Sequence, residues 1–156
     1  MWFNVGKPSF FVRRQHSLGR VVSCLLWCGW VWLWVRWKTL PEVLDHLDRL
    51  PVRASAESVP PETIAQTARA VVHRLPRFGV GECLLRSLVI YAMLRCQQQT
   101  DISFVLGAGS LDGLGRPALH CWIEVNGQPL LETNNLGERF RVMFRHRMPR
   151  LTTLTP

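Results

Sequence analysis

Cys83 and His120 are the two residues of this chain whose types and settings could together carry out acyl chemistry. Cys83 follows Gly81 and Glu82 and opens an apolar stretch that reads as a helix from Cys83 to Arg95. Leu84, Leu85, Leu88, Val89 and Ala92 fall there at core spacing. A thiol at the start of a helix faces backbone N–H groups without intrahelical partners and the positive end of the helix dipole. Both favour the thiolate, the form that attacks a carbonyl carbon, and the same N–H groups can donate to an oxyanion. His120 lies in a strand reading, Leu119 to Val125. Its alternation puts Leu119, Cys121, Ile123 and Val125 on one face and His120, Trp122 and Glu124 on the other. An imidazole turned away from an apolar face is free to act as a base, and that base needs a third group to fix its tautomer.

Glu132, at the end of a returning strand from Gln128 to Glu132, is the first candidate for that third group. Asn126–Gly127 is a strong hairpin signal, and the hairpin register decides what faces His120. A tight two-residue loop makes paired positions sum to 253, so His120 faces Thr133 and Glu132 points away with Cys121. A G1 bulge at Gly127 makes the sum 252 and sets Glu132 directly across from His120. A triad built on the strand ladder demands the second. Glu124, on the His120 face, and the pair Asn134–Asn135 are alternative orienting groups, with turn or cap duty as the ordinary role of the asparagines.

The elements that must position this site are read from periodicity and punctuation. Residues 21–35 form a nearly unbroken apolar run closed by Arg20 and by Arg36–Trp37–Lys38. Fifteen residues at a helical rise fall short of the ~20 that span a bilayer. Trp27, Trp30, Trp34 and Trp37 draw one stripe along that helix, which is expected to pack on the domain, with a membrane interface or a partner as the other settings. Cys24 and Cys28, four apart, are neighbours on one helix face rather than a zinc signal. Prolines at 41, 51, 60 and 61 predict a short helix over 41–50, a linker over 51–61 and an amphipathic helix from Pro61 until Pro76. A strand is expected over Ile102–Leu106, then a glycine-rich loop holding Gly107, Gly109, Gly113 and Gly115, which borders the cleft and has no phosphate-binding pattern. His16, His46, His73 and His146 have no convergent partners in the sequence.

Composition bounds the rest. With 156 residues, 47% of them apolar, the chain holds one domain with a real core. Five cysteines in irregular spacing argue against a disulfide framework and for a reducing, cytoplasmic setting. The net charge of +8 points to an acidic peptide, an anionic membrane or simply a solvated basic face. Nucleic acid is not expected, because no reading motif accompanies the charge.

The stretch from Leu75–Pro76 to Glu132 resembles the transglutaminase-like cysteine peptidases that remove leader peptides during lasso-peptide biosynthesis. The matching pieces are Cys83–Leu84–Leu85–Arg86–Ser87–Leu88 and His120–Cys121–Trp122–Ile123–Glu124–Val125–Asn126–Gly127. Glu132 falls where that family carries its acidic triad member, usually an aspartate, and Cys121 stands where a small residue is common. The resemblance implies an α+β fold with a papain/transglutaminase-like core, a nucleophile helix on a small antiparallel sheet. It implies a helical region over 1–61, a peptidase domain over 62–150 and a tail over 151–156. It further implies Cys83 as nucleophile, His120 as base and Glu132 as orienting acid, with no cofactor and no metal. The implied partners are a precursor (leader) peptide, a separate leader-recognition protein and an ATP-dependent cyclase. Residues 1–75 show no strand pattern that could build a recognition domain. The alternative readings are an inactive or acyl-transferring relative that binds a precursor, or a membrane-associated scaffold contacting lipid through residues 18–40.

Overall fold

A computed structural model describes residues 18–51, 59–76, 79–97, 101–111, 115, 117–132 and 135–149. Arg13, Arg14, His16, most of the 51–61 linker, Gly113, Thr133, Asn134 and the 151–156 tail lie outside the described residues. The elements run α1 (Leu18–Trp37), α2 (Leu40–Asp48), α3 (Pro61–Val72), α4 (Glu82–Cys96), β1 (Ile102–Leu111), β2 (Pro117–Val125), β3 (Gln128–Pro129), α5 (Leu136–Arg139) and β4 (Phe140–Arg147). The four strands pair antiparallel in the order β3-β2-β1-β4, and the expected α+β class holds.

Helix α4 is the centre of the molecule. From Leu85 to Arg95 every residue but Arg86 is buried, because α1, α2 and α3 pack on one side of it and β1 and β2 on the other. The main core joins Cys24, Cys28 and Val31 of α1, Ile64, Ala65 and Ala68 of α3, the α4 face, and Phe104, Cys121 and Ile123 of the sheet. Cys24 and Cys28 are buried neighbours one turn apart, as their spacing requires. The opposite sheet face carries a second cluster of Val105, Trp122 and Leu136 with Phe140 against it.

Several expectations need correction. Helix α1 is twenty residues long, not fifteen, because Leu18–Arg20 and Arg36–Trp37 extend the apolar run at both ends. At 1.5 Å per residue it reaches about 30 Å, so length and composition alone would let it cross a membrane. Gly107 and Gly109 lie inside β1 rather than in a loop. The returning strand stops at Pro129, where Glu132 was expected to end it. Residues 140–147, read from sequence only as a basic stretch, form edge strand β4.

His146 also has partners. Its Nε2 lies 2.8 Å from Asp48 Oδ2, while Tyr91 donates to Asp48 Oδ1 at 2.6 Å and Arg95 donates to the Asp48 carbonyl. This lock ties β4 and α4 to the end of α2. The hydrogen bond to Asp48 raises the His146 pKa above its ordinary value of 6.5. Stability from that shift is therefore present in full below pH 6.5 and is lost as pH rises through the folded value. Asp48→Ala leaves the Tyr91 hydroxyl and the His146 ring unpaired in a mostly buried setting. The expected cost is about 3 kcal/mol in urea unfolding, with a smaller loss at pH 9 than at pH 6.

Candidate active site

Cys83 is the second residue of α4, after Gly81 at the N-cap and Glu82. The first intrahelical bond runs from the Leu85 N–H to the Gly81 carbonyl. The N–H groups of the residues just before it, Cys83 among them, have no carbonyl a turn back within the helix. Cys83, Arg86 and Ser87 share one helix face at i, i+3 and i+4, and that face meets the outer edge of β2. Strand β3 pairs only with Glu124 and Val125, so among the described residues the earlier part of β2 has no strand partner on that side. Ser87 fills part of the gap, its buried hydroxyl donating to the Cys121 carbonyl at 3.0 Å. The start of α4 is thereby clamped beside His120.

The sulfur of Cys83 and the imidazole of His120 come within hydrogen-bonding reach, as do the Cys83 and Cys121 thiols. A hydrogen bond from Cys121 and a second from His120 hold the Cys83 pKa down at about 4, against the cost of burial. The hydrogen bond with Cys83, and then that with Glu132, push His120 up to about 9. Cys121, which donates to Cys83, is pushed up in turn, so it stays protonated while its neighbour ionises. Residue type and strand alternation mark Cys121 only as an inert buried thiol. The two shifts together describe a thiolate–imidazolium pair from about pH 4 to about pH 9.

Glu132 completes the chain by a route the ladder argument missed. The observed pairs, Glu124 with Pro129 and Val125 with Gln128, follow the tight two-residue register, with Asn126 and Gly127 both at positive φ. In that register a continued strand would turn Glu132 away. Instead the strand ends, the Leu130 N–H returns to the Ile123 carbonyl at 2.8 Å, and Leu131 takes φ 57°. This left-handed bend swings Glu132 back to His120, with Oε2 3.3 Å from Nε2. Arg86 donates to the other oxygen, Oε1, at 3.0 Å, so both carboxylate oxygens are held. Burial pushes the Glu132 carboxyl up, but His120, Arg86 and Arg69 outweigh it and the net shift is downward. A narrow cavity behind the acid is lined by Arg69, Arg86, Ile90 and Leu130.

The imidazole is packed as well as bonded. The Phe140 ring stacks on it at 5.1 Å and Trp122 lies at 6.0 Å. Gly107 pairs with His120 on the neighbouring strand, and a Cβ there would stand 2.9 Å from both Trp122 and Phe140. The glycine is needed because those rings fill its side-chain space. Gly107→Ala is expected to cost about 1–3 kcal/mol in thermal or urea unfolding. It should also loosen the His120 ring, read as exchange broadening of its imidazole NMR signals.

The other candidates are placed elsewhere. Glu124 is buried, accepts from Trp122 at 3.2 Å and pairs with Arg145 of β4, so its carboxylate is engaged there and not with His120. Asn135 stands at the N-cap of α5, and its carbonyl accepts from Glu138 and Arg139. His46 stacks on Trp34 at 4.1 Å, and His73 lies 3.4 Å from Glu82. Asp45, Asp48 and His146 bring one potential metal-ligand atom each within 4.8 Å of one another. Both Asp48 oxygens are already bound to Tyr91 and His146, so that trio serves as an internal lock.

Sequence reasoning missed Phe140, Gly107 and the hold of Arg86 on Glu132. The helical spacing of Cys83 and Arg86 was a usable signal for the last. A profile described as the transglutaminase-like superfamily matches residues 21–145. No curated protein and no solved structure matches the chain.

Proposed function

The chain belongs to the transglutaminase-like superfamily, which includes cysteine peptidases and acyltransferases, and from that premise we propose a leader peptidase of lasso-peptide maturation. The observation that carries this reading is the unbroken contact chain Cys83–His120–Glu132–Arg86 at the start of α4. In the proposed cycle the Cys83 thiolate attacks the carbonyl carbon at the end of a leader peptide. The tetrahedral oxyanion is received by backbone N–H groups at the helix start. His120 gives its proton to the leaving amine, and a thioester to the leader remains on Cys83. His120 then takes a proton from water, whose oxygen attacks the thioester. The leader leaves as a carboxylic acid and the thiolate is restored.

Glu132 orients His120 and keeps it charged, while Arg86 holds the far carboxylate oxygen. This grip accommodates the methylene by which glutamate exceeds aspartate. Glu132→Gln preserves shape and removes the charge. It is expected to lower kcat roughly 10²-fold and to move the alkaline limb of the pH profile toward neutrality, because the raised His120 pKa loses a support.

The precursor would be delivered by a separate leader-recognition protein, the partner that the resemblance to leader peptidases implies. An ATP-dependent cyclase would use the released core. The test is mass spectrometry of a ribosomal precursor peptide incubated with the protein and such a recognition protein. Hydrolysis yields two fragments whose masses total the precursor plus one water. A product carrying an added amine in place of that water would make the protein an acyltransferase. An uncut precursor, together with an unreactive Cys83, would leave a binding role and end the enzyme reading.

A further inference from the structure

Helix α1 turns only one side toward the protein. Cys24, Cys28 and Val31 are its buried residues, and they fall on a single arc facing α3 and α4. The opposite arc carries Leu18, Val22, Leu25, Leu26, Leu33 and Trp37, each between 44% and 80% exposed. At 100° per residue these six positions span about 120° of the helix, an apolar stripe interrupted on that arc only by Arg36 in the last turn. Gly19 and Gly29 lie on the same arc, and a Cβ built at either would meet no atom within 4 Å. The stripe is open along its whole length.

The charge around the stripe identifies what fits it. Helix α1 contains no acidic residue; Arg36 stands in its last turn and Lys38 just beyond its end, the latter 4.0 Å from Glu42. The whole chain carries +8. Apolar side chains with cations and an exposed indole at one end match a hydrocarbon layer bordered by anionic headgroups. A second copy of the chain matches less well, because it would bring two strongly cationic bodies together. A spanning pose would strip Cys24, Cys28 and Val31 from the core, so the helix must lie flat.

We propose that the exposed arc of α1 docks on the surface of an anionic bilayer, with the helix in the interfacial plane and its leucines in the headgroup–acyl boundary. The experiment is co-sedimentation of the full chain with vesicles of phosphatidylcholine alone and of phosphatidylcholine with phosphatidylglycerol. The wild type is expected to pellet with the anionic vesicles and to bind the neutral ones at least about tenfold more weakly. The double variant Leu26→Glu/Leu33→Glu alters only exposed positions, and its fold is checked by near-UV circular dichroism. It is expected to lose at least about tenfold in vesicle affinity, as two leucines withdrawn from an apolar phase require. Wild type remaining in solution with anionic vesicles would overturn the proposal. Equal binding by the double variant would overturn it too, since attraction would then lie elsewhere on the surface. Gel filtration adds a third arm: a dimer that the double variant turns into a monomer, without vesicle binding, would assign the arc to a second copy.

Discussion

Cys83→Ala is expected to abolish peptide cleavage, with kcat falling at least about 10⁴-fold, and His120→Ala is expected to do nearly the same. The reason is geometric. Among the described residues Cys83 has one basic partner, the ring that Glu132 and Phe140 hold in place. Without the sulfur no thioester forms, and without the imidazole no group remains to protonate the leaving amine. The two act as a unit, so the double variant should be no slower than the worse single one. KM should change little, because neither side chain supplies the extended contacts that bind a peptide. Measured cleavage rates for the three variants under single-turnover conditions check this, and substantial activity in Cys83→Ala would remove the assigned nucleophile.

The rate at which Cys83 reacts with iodoacetamide is expected to vary less than about twofold between pH 5.5 and 8. An ordinary thiol, ionising near pH 8.5, gains a few hundredfold in thiolate over that range. Cys83 is held at about 4 by Cys121 and His120, so it is already ionised at the acidic end. Its low basicity makes each thiolate a poorer nucleophile, so the plateau itself should be modest in height. The shape of the profile, not the absolute rate, is the diagnostic. Cys83 has a lowered folded pKa and contributes stability above its ordinary value near 9, a contribution lost as pH falls through about 4. His120 has a raised one and contributes fully below 6.5, losing it as pH climbs through about 9. His120→Ala should restore much of the steep rise of an ordinary cysteine. A steep rise in the wild type would show that the pair does not form.

Much of this site was legible in the residues themselves. Gly81–Glu82–Cys83 before an apolar run announces a thiol at a helix start, and strict alternation from Leu119 to Val125 places His120 opposite the core face. Both depend on local periodicity, which a sequence states openly. Glu132 reaches His120 by a route that the register argument did not use. Its place depends on a left-handed leucine at 131, and nothing in the residue type forecasts a positive φ there. Gly107 and Gly109 read as loop because glycine usually punctuates. Here they make room for rings that arrive from Trp122 and Phe140, residues distant in sequence. β4 was hidden by its charge. Phe140, Val142, Phe144 and His146 alternate with Arg141, Met143, Arg145 and Arg147, yet much of the strand is exposed and its arginines guard a sheet edge.

The thiol and the imidazole sit on elements that touch only after the sheet has been laid against α4, a long-range event in the life of the chain. Until Ser87 reaches the Cys121 carbonyl, the sulfur has no ring beside it and keeps the mild acidity of any cysteine. On the proposed peptidase reading, a newly made or partly melted molecule would be harmless to neighbouring polypeptides, and the reactive thiolate would arrive only with the finished architecture.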